Sequence, residues 1–97
     1  MACLMGGLVF AVIENLMYLP PWKGPHPQDL VTWRWTVCTA LHAGCSLVTG
    51  LGIVRMWRGV WGSPPRPADS DAGVPLIATA AIIHGGYNLL VWLMPPV

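Results

Sequence analysis

Three side chains in the sequence are expensive to place where their neighbours want to be. Glu14, His42 and His84 each sit inside a long apolar run, and a charged group within a membrane helix costs roughly 2.5–3.5 kcal/mol by insertion scales. One carboxylate and two imidazoles meeting in a dry site would suit hydrolysis. The Glu would act as general base on a water, and the histidines with Asn88 would polarise a carbonyl or stabilise an oxyanion. The same two-His, one-carboxylate set, Glu14, His42 and His84, could hold Zn²⁺ with a position left open for water.

Neighbours at helical spacing extend the pattern. Asn15 adjoins Glu14 and Tyr18 lies one turn beyond it; Tyr18 reads as an interfacial anchor rather than a catalytic group. His84 and Asn88 are four apart and project from one face, next to Gly85 and Gly86. Thr39 or Cys38, His42, Cys45 or Ser46, and Thr49 form a polar stripe. A plainer reading of any one of these groups is a hydrogen bond that glues helices together.

The elements that must position them are three membrane spans, at roughly residues 2–20, 36–57 and 75–94. Met1–Trp22 holds one carboxylate or cation, Glu14, and the runs 36–54 and 74–97 hold none. Between them, Pro20-Pro21-Trp22-Lys23-Gly24-Pro25-His26-Pro27 and Trp61-Gly62-Ser63-Pro64-Pro65-Arg66-Pro67 read as loops. His26 reads as solvated. Pro75 suits the first turn of the third helix, and Pro95-Pro96 would stop it. Trp22, Trp33, Trp35 and Trp92 fall at one interface, Trp57 and Trp61 at the other. Arg55, Arg58 and Arg66 around the second loop, against Lys23 and Arg34 around the first, favour a cytoplasmic second loop. At ~1.5 Å per residue, Glu14, His42 and His84 lie ~7.5, ~9 and ~15 Å below the first-loop side. All three fall in one half of a ~30 Å hydrocarbon core, close enough to meet.

Composition agrees: 55% hydrophobic and 9% charged residues exclude most soluble domains, which carry about 25% charged. The chain therefore reads as an all-α, multi-pass integral membrane protein with the lipid bilayer as its partner. A net charge of +1 without a basic patch excludes nucleic-acid binding. The first run is not a signal peptide, for it lacks a basic start and Glu14-Asn15 interrupts it. Cys3, Cys38 and Cys45 read as free thiols; the last two lie ~10.5 Å apart along a helix, too far to bridge.

Phe10-Ala11-Val12-Ile13-Glu14-Asn15-Leu16-Met17-Tyr18 resembles the Phe-x-x-x-Glu-Asn-x-x-Tyr motif of the PrsW family of intramembrane proteases, distant relatives of the CAAX-processing proteases. Arg34 followed by His42, with Gly50 further along a Gly-rich helix, resembles the family's next motif, and His84-Gly85-Gly86-Tyr87-Asn88 its last. The resemblance runs from Gly6 to about Trp92. It implies site roles for Glu14, Asn15, His42, His84 and Asn88, a metallo- or glutamic-type peptidase, and a membrane-anchored protein substrate. It also implies an earlier helix with a Glu-Glu pair, which this sequence does not contain. Residues 1–97 are thus expected to form a single PrsW-like membrane domain lacking those N-terminal helices. Other helices, or copies of the same chain, would complete its core. Two further readings stand beside this one: a non-catalytic multi-pass membrane interaction protein, and b-type haem ligation by His42 and His84.

Overall fold

A computed structural model describes residues 1–94, so the expected stop at Pro95-Pro96 lies outside the described residues. Helix α1 spans Ala2–Tyr18 and a single 3₁₀ turn follows at Pro21–Lys23. Gly24, at φ 93°, then reverses the chain in the left-handed region that a residue without Cβ adopts freely. Helix α2, Gln28–Trp33, runs into a π-helical turn at Arg34–Cys38 and on into α3, Thr39–Trp57. Helix α4 spans Ser70–Leu93, and there is no strand among the described residues.

Three rods, Ala2–Lys23, Gln28–Trp57 and Ser70–Leu93, are long and apolar enough to cross a membrane. The all-α, three-span expectation holds, but two starts move. The second rod begins at Gln28, not at residue 36, because Pro27 supplies the fixed φ that precedes a helix and the polar first turn is no obstacle outside hydrocarbon. The third begins at Ser70, not at residue 75. Asp69 caps it, accepting from the backbone N–H groups of Asp71 (3.1 Å) and Ala72 (3.3 Å). Pro75 therefore lies inside the helix, beyond its first turn.

Helix α3 packs against both α1 and α4, while α1 and α4 barely meet. Close approach is set by small residues. A Cβ on Gly7 would fall on the Ser46 hydroxyl and lie 2.8 Å from the His42 carbonyl oxygen. At the α3–α4 crossing, a Cβ on Gly52 would come within 2.8 Å of the Gly73 carbonyl oxygen, and one on Gly73 would fall on that of Gly52. Burial is inverted relative to a soluble protein. Asn15, Arg34 and His42 are among the few buried side chains, whereas Val9, Ile13, Met17, Leu47, Val54, Ile82, Leu89 and Leu90 are exposed. Such a surface belongs in lipid.

Overpacking the α3–α4 crossing should be costly. Gly73→Val is expected to lower unfolding free energy in mixed micelles by about 1–3 kcal/mol. Gly85→Ala, where a Cβ meets nothing within 4 Å, should change it by less than about 0.5 kcal/mol.

Candidate functional site

The three costly side chains touch. Glu14 Oε2 lies 2.5 Å from His42 Nε2, and His42 Nδ1 lies 3.1 Å from His84 Nε2. The chain of contacts crosses α1, α3 and α4 in order. An ionised carboxylate only accepts, so His42 Nε2–H donates to Glu14; Nδ1 then accepts from His84 Nε2–H. His42 is thereby held at both ring nitrogens. Phe10 closes over it edge-on, with ring centroids 5.1 Å apart.

Arg34 supplies the countercharge, with Nη2 3.6 Å from Glu14 Oε2. Both contacts of Glu14 use Oε2, and no hydrogen bond reaches Oε1 among the described residues. Arg34 is itself fixed: its Nε–H donates to Asn15 Oδ1 at 3.2 Å, and its guanidinium lies 4.1 Å from the Tyr18 ring centroid. Asn15, 1% exposed, donates in turn to the Arg34 carbonyl (3.3 Å) and the Thr39 hydroxyl (3.2 Å).

The π turn explains how Arg34 and His42 reach the same carboxylate. An α-helix advances ~100° per residue, so eight residues would leave the two side chains roughly 80° apart around the axis. The wider Arg34–Cys38 turn lowers that advance and brings both toward α1. It also alters the helix's own bonding at its first residue, where the Asn15 amide engages the Arg34 carbonyl.

Two clefts meet at His42. One, of about 450 Å³, lies between α1 and α4 over α3; Gly6, Phe10, Ser46, Ala80 and His84 are among its walls. The other, of about 400 Å³, opens toward the first loop and is lined by Glu14, Tyr18, Arg34, Asn88 and Trp92 among others. Asn88 thus faces the cleft that holds Glu14, and makes no side-chain hydrogen bond among the described residues. Tyr87 stacks on Trp33 (5.9 Å) and meets Cys38 Sγ through its hydroxyl at 3.2 Å. All three cysteines are free. His26 is half-buried and donates Nε2–H to the Pro20 carbonyl at 3.1 Å, which ties down the first loop.

The sequence put Glu14, His42 and His84 at one level, and the structure brings them into contact. Tyr18 and Asn88 line the cleft that holds Glu14, whereas Asn15 is buried beside Arg34 and lines neither cleft. Sequence reasoning missed the pairing of Arg34 with Glu14, reading Arg34 as a loop charge or a motif residue. The available signal was charge balance, for a lone carboxylate in hydrocarbon requires a partner.

An all-α membrane protein with three helices long and apolar enough to cross a bilayer, joined by a carboxylate–imidazole–imidazole chain, is the class that fold and site define. The chain belongs to the PrsW family: a family model described as the PrsW family intramembrane metalloprotease matches residues 1–97, its whole length. No curated protein and no solved structure matches it.

The family description implies a metal, and Glu14, His42 and His84 are donor types that zinc accepts. Their arrangement does not surround one point. Glu14 and His84 lie on opposite nitrogens of His42, and among the described residues no group of three His, Cys, Asp or Glu side chains is placed to hold a metal ion. The three do not fit a three-ligand zinc site as they stand. Nor do His42 and His84 suit haem, since nitrogens in direct contact at 3.1 Å leave no space for a macrocycle between them.

Asn15→Ala would strand the Arg34 Nε–H and remove one of the two side-chain donors to the Arg34 carbonyl, leaving the Thr39 hydroxyl. It is expected to cost about 2–3 kcal/mol in a micelle unfolding titration, whereas exposed Tyr18→Phe should cost less than about 0.5 kcal/mol.

Proposed function

We propose that this protein hydrolyses peptide bonds of membrane-anchored substrates, with Glu14 as general base. The observation that carries the proposal is the unbroken Glu14–His42–His84 chain, which uses one carboxylate oxygen and leaves the other free. His84 fixes His42, and His42 with Arg34 fixes Glu14 Oε2. Glu14 lines the cleft that opens toward the first loop, from which a water would reach Oε1.

The steps balance without further reagents. A water hydrogen-bonded to Oε1 gives its proton to Glu14 as its oxygen attacks the carbonyl carbon. The carbonyl oxygen becomes an oxyanion, to which Asn88 donates an amide N–H and His84, when protonated, an imidazolium N–H. Collapse breaks the C–N bond, and the leaving amine takes the proton from Glu14. The apolar cleft beside His84 receives the flanking substrate segment, whose side chains come from lipid. To ligate zinc, His42 would first have to release Glu14 or His84, so the steps rest on the side chains alone.

The test is cleavage of a tagged single-span reporter by the protein reconstituted in vesicles. Glu14→Gln should lower the rate by about 10²–10⁴-fold, and Asn88→Ala by about 10²-fold, with helicity by circular dichroism unchanged. Equal cleavage by wild type and Glu14→Gln would remove the base assignment. Absence of cleavage by the wild type, with assembly altered by His84→Ala, would favour an interaction protein.

A further inference from the structure

The opposite end of the molecule carries a second constellation that the peptidase reading does not use. Arg55 and Arg58, at the end of α3, and Arg66, in the second loop, line one cavity of about 640 Å³. The loop is folded back to put them there. The Arg66 N–H donates to the Gly59 carbonyl at 2.9 Å, and the Asp69 N–H to the Met56 carbonyl at 2.8 Å.

These guanidinium groups have no anionic partner. Among the described residues the ion pairs all involve Glu14. Asp69 lines the cavity too, but its carboxylate caps α4. Three exposed arginines thus line the cavity against a single carboxylate, that of Asp69, and the excess positive charge is matched by an anion that accepts several N–H groups at once. Trp57 and Trp61, with ring centroids 6.4 Å apart, mark this end of the rod as headgroup level.

We infer that Arg55, Arg58 and Arg66 form a phosphate-binding site at the membrane face of the second loop. The phosphate belongs to an anionic lipid headgroup or to a free phosphate ion, and the chemistry of recognition is the same for both.

The test uses the whole protein in dodecyl maltoside micelles, titrated with dioleoyl phosphatidic acid and followed by native mass spectrometry. Dioleoyl phosphatidylcholine is the lipid control, and inorganic phosphate is added as a competitor. Saturable binding of one phosphatidic acid is expected, weakened about tenfold or more by Arg66→Gln. Arg66→Lys should weaken it as well, because it keeps the charge but loses the paired N–H geometry; Lys23→Gln, at the other face, should not. Binding that phosphate does not displace identifies the lipid, and displacement by phosphate identifies the free ion as a ligand. Wild-type affinity in Arg66→Lys would reduce the cluster to diffuse attraction and overturn the site, as would unsaturable binding or equal binding of phosphatidylcholine. Arg58→Lys provides a second variant should Arg66 substitutions disturb the loop, with helicity checked by circular dichroism.

Discussion

A carboxylate on a lipid-embedded helix cannot remain alone, and Glu14 meets that constraint by recruiting its partners from the other elements. Arg34 comes from the π turn ahead of α3, and His42 from α3 itself. His84 then joins from α4. Each helix thus contributes one polar member, and satisfying them fixes how each rod is rotated about its axis. Apolar packing could not do this alone, because lipid competes with protein for every Leu and Val. Asn15, Arg34 and His42 are consequently buried, while many of the large apolar side chains point outward.

Short polar contacts require close backbones, which small residues provide. Gly7 lets α1 approach α3 at Ser46 and the His42 carbonyl, and Gly52 with Gly73 lets α4 approach α3 further along. On α3 both crossings lie at or beyond His42, at Ser46 and at Gly52. With α1 and α4 held to opposite sides of α3 and barely touching each other, a cleft is left between them that reaches both histidines. Scaffold and site therefore follow from the same arrangement.

The spans were legible because twenty or so apolar residues have few other uses, and Glu14, His42, His84 and Asn88 because their types clash with that surrounding. The helix starts were less so. Gln28–Trp33 contains Asp29 and Thr32, so hydropathy placed it in the loop, although Pro27 signalled a start. Asp69, just beyond the second loop's prolines, is of a type that caps helices, and it sets the start of α4 ahead of the apolar run. What spacing could not supply was the order of contacts. It put three titratable groups at one depth, equally suited to a metal cage or a relay, and the π turn that aims Arg34 has no marker in residue type.

Hydrolysis within a bilayer needs two reagents that avoid each other: water, and a peptide surrounded by lipid. A single cavity would favour one and exclude the other. Here the two clefts meet at His42, one opening toward the first loop past Glu14, Arg34 and Asn88, the other bounded by glycine, alanine and aromatic surface between α1 and α4. An imidazole at that junction has one nitrogen facing each neighbour, Glu14 on the first side and His84 on the second. On the proposed reading, such a partition would let the base take water from one cleft and the peptide from the other. It gives a reason for two histidines in series where one would balance the charge: the second extends the network from the cleft at Glu14 to the cleft between α1 and α4.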